Sequence, residues 1–415
     1  MIGVTEAGYQ AQQMNVFLNL KTAEKCLQFG ATKCKTMLIG KSTENIINTK
    51  LLVDKWEVIY EESDTGEEVL VETYVGQVPI EEVEEQRYLG FVLSSQGNNM
   101  VNINSMKMKS KGIIRRIFSK LEHLKLQKYY AECAIIFLKV MLRSSILYGC
   151  ETYYNLKENE IRSLEMIEEG FLRELVKTGK GCPLSQLYAE FGLIPARYEI
   201  IRIRLLYLKE ILIQNEDSMI FKMFQLQLKQ PKRGDWASTC LKDLGELKIS
   251  MSLVEIQQMT KYKFSNILKE RISENAGKYL TGKKGKKGKE INFNCLEMAE
   301  YLKPTNDKLT ISEKQEMFSA RNRMTEIGYH FPKPNTENIC ICGEKEDMVH
   351  IYNCELINQE KKPNLKYENI FNGDIQKQIE VFKHFKQNLE KREEMFSAHV
   401  IPKGSAVFSN VCSNG

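Results

Sequence analysis

No apolar run in this chain approaches the ~20 residues that a transmembrane helix needs. The opening stretch MIGVTEAGYQAQQMN has neither the cationic flank nor the apolar core of a secretory signal. Aspartate is scarce. The eight in the chain are Asp54, Asp64, Asp217, Asp235, Asp243, Asp307, Asp347 and Asp374; no two are adjacent and none belongs to an aromatic-x-Asp-Asp turn. The chain therefore offers no adjacent aspartate pair of the kind that holds two divalent cations. The eleven cysteines follow no framework of even spacings, so they read as reduced thiols of a cytoplasmic or nuclear protein without a membrane segment. There is no internal repeat.

What is present is charge, unevenly placed. A formal net charge of +5 conceals two poles. From Trp56 to Gln86 there are eleven acids and no Lys or Arg. From Val101 to Gly149 there are ten basic residues (Lys107, Lys109, Lys111, Arg115, Arg116, Lys120, Lys125, Lys128, Lys139, Arg143) against Glu122 and Glu132. A helix whose polar side were ordinary surface would interleave acids with these bases. The imbalance points to a polyanion, with Lys109, Lys111, Arg115, Arg116 and Lys120 as candidate phosphate contacts. The plainer alternative is the wet side of an amphipathic helix whose buried side is Ile113, Ile114, Ile117, Leu121 and Leu124. The consecutive glutamates Glu81, Glu82, Glu84 and Glu85 read as a solvated row, because Mg²⁺ wants converging oxygens.

Periodicity predicts a mainly α protein with a small antiparallel β subdomain (α+β). A helix from Thr5 to Phe29 precedes a short strand in ATKCKTMLIGK. LLVDKWEVIYEE and EEVLVETYV then form a hairpin around Ser63–Gly66, and RYLGFVLS is a further strand running into the Ser95-Gln96-Gly97 turn. Helices follow near 158–177, from Pro195, 219–228, 253–274, 312–327 and 374–395. The Lys/Gly-rich segment 281–290 reads as a linker loop or a phosphate-contacting arm. The expected divisions are 1–99, 100–215, 216–330, 331–400 and a flexible tail 401–415.

One cluster carries metal-ligand chemistry. In CICGEKEDMVHIYNC, residues Cys340, Cys342, His350 and Cys354 form a C-x-C-x7-H-x3-C set. Three thiolates and an imidazole make a closed, structural Zn²⁺ site with no position left for water. His350 and Cys354 lie one helical turn apart, and Gly343 permits a tight turn beside the first pair. The alternative is three buried cysteines near an unrelated histidine.

Three stretches together carry a family resemblance: FGATKCKTMLIG (29–40), EEQRYLGFVLSSQGN (84–98) and the helical text through LRELVKTGKGCPLSQLYAEFGLIPARYEI (172–200). The chain resembles the reverse transcriptase of LINE-type (non-LTR) retrotransposons, from the end of the palm through the thumb to the Cys-Cys-His-Cys region. The resemblance implies that Lys33 takes the place of the family's lysine after the catalytic hairpin. It also implies that Tyr88, Leu89 and Gly90 stand in the primer-gripping strand, and that Cys340, Cys342, His350 and Cys354 match the zinc cluster, with one residue between the first two cysteines where two or three are usual. The family's catalytic aspartates would lie upstream of the first helix. The expected activity of this chain is therefore binding of RNA or an RNA–DNA primer-template without nucleotide incorporation; Mg²⁺ would belong only to a full-length polymerase. Two other readings stand beside it: a helical scaffold that binds partner helices, and a zinc-dependent nucleic-acid-binding protein derived from such an element.

Overall fold

The computed structural model describes residues 35–36, 52–62, 68–79, 81–123, 129–179, 181–232, 234–282, 296–305, 308–322, 324–325, 339–358, 363–371 and 374–399. The expected helix 5–29, Lys33, the Ser63–Gly66 turn, residues 283–290 of the Lys/Gly segment and the tail lie outside them. The chain divides into two compact units, Met1–Lys109 and Ser110–Gly415.

Among the described residues the strands lie in the first unit, as three two-stranded pairs. β1 (Lys35–Thr36) runs parallel to β4 (Glu81–Glu82). β2 (Leu52–Glu62) and β3 (Glu68–Pro79) form the long antiparallel hairpin that the alternation predicts, with a bulge between Lys55 and Trp56. β5 (Glu85–Tyr88) and β6 (Phe91–Ser94) form a second, short hairpin. This corrects the expectation that RYLGFVLS is one strand. Leu89 and Gly90 have φ of 46° and 90°, so the chain reverses there. Two consecutive positive φ values are what a tight hairpin loop demands, and glycine at the second position supplies one of them without steric cost.

The helix α1 (Asn99–His123) starts in the first unit and ends in the second. Beyond it the second unit is helical. α2 (Tyr130–Phe137) passes through a π-helical turn, Leu138–Arg143, into the short α3 (Ser144–Ile146). Then come α4 (Glu158–Leu175), α5 (Leu184–Glu190), α6 (Ala196–Leu212), α7 (Met219–Lys229), α8 (Trp236–Glu246), α9 (Leu253–Gln258), α10 (Lys261–Gly282), α11 (Ile311–Arg321), α12 (Met348–Asn353) and α13 (Ile375–His399).

α6 is the axis of this unit. Its Leu205 and Leu208 are fully buried and pack in one core with Phe224, Leu244, Ile256, Phe264 and Leu268. Apolar residues occur on most of its circumference, the pattern of a helix enclosed by others. The expected single helix over 253–274 is two. Met259 is extended (φ −70°, ψ 149°), and the Thr260 hydroxyl then accepts the Lys263 N–H at 3.3 Å, so a capping threonine ends one helix and opens the next.

Several of the buried charges in the second unit are paired. Arg143 donates to both oxygens of Glu168 at 2.7 and 2.9 Å, and Tyr188 Oη donates to the same carboxylate at 2.7 Å. Arg204 meets Asp243 at 2.5 Å, and Arg321 meets Glu190 at 3.0 Å. Arg143, one of the ten bases in the basic stretch, is thus withdrawn from the surface. Among the described residues no helix is long and apolar enough to cross a membrane.

Candidate metal centre and basic helical face

The four residues expected to ligate a metal converge. One ligand atom each from Cys340, Cys342, His350 and Cys354 lies within 4.8 Å of all the others, and this is the one such His/Cys/Asp/Glu group among the described residues. Their convergence is local in origin. Cys340 N–H donates to the Glu344 carbonyl and Gly343 N–H to the Cys340 carbonyl, each at 2.8 Å. Ile339 bridges Lys345, closing a tight loop. Gly343 turns the chain at φ 90°, a conformation a side chain would strain. The loop places both cysteines of the C-x-C pair on one point. Asp347 then caps α12 by accepting the His350 N–H at 2.7 Å, and Cys354 follows at the helix's C-terminal cap.

The distances can be tested against coordination geometry. A tetrahedral ion with thiolate bonds of ~2.3 Å and an imidazole bond of ~2.0 Å sets two sulfurs about 3.8 Å apart and a sulfur and nitrogen about 3.5 Å apart. Cys340 Sγ and Cys354 Sγ are 3.8 Å apart, and Cys342 Sγ and His350 Nε2 are 3.3 Å apart. The residues fit a metal ion. Cys340 and Cys354 are buried with Ile357 in a cluster of their own, with half-buried Cys342 against it. So small an apolar patch is weak by itself, and an ion bridging its thiolates would supply the missing cohesion.

Four residues that sequence reasoning missed support this loop. His350 Nδ1 lies 3.1 Å from Glu344 Oε2, which leaves Nε2 as the nitrogen that faces Cys342. A carboxylate on the far nitrogen holds a ligating imidazole in its tautomer and raises its basicity. Glu346, almost fully buried, takes a two-pronged pair from Arg392 of α13 at 2.6 and 2.9 Å. Asn388, on the same helix, donates to the Ile351 and Tyr352 carbonyls at 3.0 and 3.2 Å. The metal loop and α12 are therefore tied to α13. The signal was faint: the Asp-Met-Val-His start of α12 is readable as a cap, but Arg392 stands 46 residues from Glu346.

The basic stretch behaves as a one-sided helix. On α1 the exposed positions are 104, 107, 108, 111, 112, 115, 116, 119, 120, 122 and 123, a stripe of helical period. Ile113, Ile117 and Leu121 are buried on the other side, as their spacing predicts, and Ile114 is half-buried. Lys111, Arg115, Arg116 and Lys120 are exposed and face no carboxylate among the described residues. Lys109 differs. It is half-buried and donates to the Gly90 carbonyl at 3.2 Å, and desolvation, with Arg87 nearby, lowers its pKa. Its first task is to hold the β5–β6 turn. Tyr88 and Leu89 at that turn are exposed. No family model, curated protein or solved structure matches the chain.

Proposed function

We propose that this chain binds nucleic acid without regard to base sequence, through the exposed face of α1, and that its C-terminal part is stabilised by a structural zinc ion. The observation that carries the first half is a contrast among arginines. Within residues 110–415, Arg143, Arg162, Arg173, Arg197, Arg202, Arg204, Arg271, Arg321 and Arg392 each sit against a carboxylate. Arg115 and Arg116 are the described arginines of this unit that do not, and with Lys111 and Lys120 they line the two edges of the exposed side of α1. In a unit whose other described arginines are all paired, exposed cations with no carboxylate partner among the described residues are best explained by a ligand that brings the negative charge.

Successive cations on such a helix edge, Lys111 and Arg115 or Arg116 and Lys120, are four residues and so ~6 Å of helix rise apart. That suits the phosphates of one strand, read by charge and not by base identity. The resemblance to LINE-type reverse transcriptases supplies the setting: a palm end and thumb that hold RNA or an RNA–DNA primer-template while catalysis depends on aspartates outside these residues. Zinc is the ion of choice because three thiolates and one imidazole form a closed tetrahedral set for it, leaving no open position for chemistry.

The test is binding of the purified chain to an RNA–DNA primer-template titrated across salt, with zinc measured on the same sample. Affinity falling steeply with salt, near one zinc per chain, and no nucleotide incorporation are the expected results. A folded sample that binds no nucleic acid at low salt would reduce the α1 face to a solvated surface.

A further inference from the structure

α7 has two apolar sides, and its own unit covers one. Phe224 is buried in the core with Leu228 packed beside it, and Phe224 meets the Trp236 ring edge-on at 6.0 Å. On the opposite side Met219 is 78% exposed, Met223 55% and Leu226 59%, with Ile220 at 37% on the margin. These recur at i, i+4 and i+7, a continuous stripe and not scattered surface residues. A helix apolar on both sides belongs between two layers.

The charges around the stripe say what the second layer is. Glu216 and Asp217 lie exposed just before the helix, and Lys229 and Lys232 lie exposed at and beyond its end. Asp217 is held by Lys222 at 3.0 Å, both exposed, whereas Glu216 and Lys229 have no ion-pair partner among the described residues. Met223 stands midway between the two charged ends. An identical helix laid antiparallel across a two-fold axis at Met223 would set Met223 on Met223 and Met219 beside Leu226. Glu216 would then face Lys229 at both ends of the contact.

We infer that this face of α7 is a self-complementary docking surface for a second copy of the chain. The contact is isologous, so it closes at two copies and does not propagate. A single helix face lies at the small end of specific interfaces, so the dimer forms and dissociates in the micromolar range.

The experiment is sedimentation of the full chain across low- to mid-micromolar concentration, for the native protein and surface variants whose melting by circular dichroism is unchanged. The native chain is expected to shift from monomer to dimer, and Met223→Glu and Leu226→Glu to stay monomeric. Glu216→Lys and Lys229→Glu should each weaken the dimer at least tenfold, and the two together should restore it. A Met223→Cys variant should give a covalent dimer with a short bismaleimide at yields well above the native chain. A chain that stays monomeric throughout, association unaffected by Met223→Glu and Leu226→Glu, or failure of the double charge swap to rescue would each overturn the proposal. Nucleic-acid binding by α1 is a separate matter and can succeed or fail independently.

Discussion

Reversing both arginines, Arg115→Glu with Arg116→Glu, is the sharpest test of the α1 face. Four exposed cations stand there, Lys111, Arg115, Arg116 and Lys120. If each neutralises one phosphate, the slope of log affinity against log salt is about −3.6 on a duplex, so affinity falls about 150-fold between 50 and 200 mM salt. Two cations remain in the variant, for a slope of about −1.8 and a fall of about twelvefold over the same range. The introduced carboxylates should lower affinity further at low salt through repulsion. Neither arginine has a carboxylate partner among the described residues, so folding stability should move by no more than about 0.5 kcal/mol. The assay is fluorescence anisotropy with a labelled primer-template at several salt concentrations, beside a thermal melt of each protein. An unchanged slope would refute the assignment of phosphates to this face. A large loss of stability would refute the claim that both side chains are idle in the fold.

Other outcomes follow from the same structure. Cys354→Ser should abolish stoichiometric zinc and lower the melting of the C-terminal part, measured by metal content and calorimetry, because three ligands leave an open, weakened site. Glu344→Ala should keep the fold, since Glu344 is largely exposed, yet weaken the metal by roughly 10- to 100-fold in chelator competition; an unchanged affinity would mean the His350 contact is incidental. Arg143→Met should cost about 3–5 kcal/mol in urea unfolding, because Glu168 is left fully buried with Tyr188 as its remaining partner. In thiol labelling of the native protein at mild alkaline pH, half-buried Cys133 should react well before Cys150 and Cys182. Burial pushes both of those thiols up to about 12, which keeps them in the unreactive neutral form. Zinc should protect Cys342, and chelation should expose it.

Much of the architecture was legible because local rules acted alone. The apolar spacing of α4 and α13 and the alternation in β2 and β3 are short-range signals. The Cys/His set was readable for the same reason: all four ligands fall between residues 340 and 354. RYLGFVLS misled because its apolar content masks a two-residue loop at Leu89-Gly90, and leucine rarely takes positive φ. The break at Met259-Thr260 was hidden because the apolar period continues on both sides of it.

By itself, then, the sequence determined a mainly helical chain with a small β portion, a metal-ligand cluster and one helix with an excess of positive charge. It could not determine which charges stay available. Arg143 and Arg116 are the same residue type on neighbouring helical stretches, but one is buried against Glu168 and the other stands in solvent. Glu168 reads as a surface glutamate in ENEIRSLEMIEEGFLREL and is fully buried. Only the tertiary structure decides this, since desolvation and pairing depend on residues far away in sequence. The same holds for Arg392 on Glu346 and for the stripe on α7 that its own core leaves uncovered. Periodicity marks a residue as apolar or charged; packing decides what it faces.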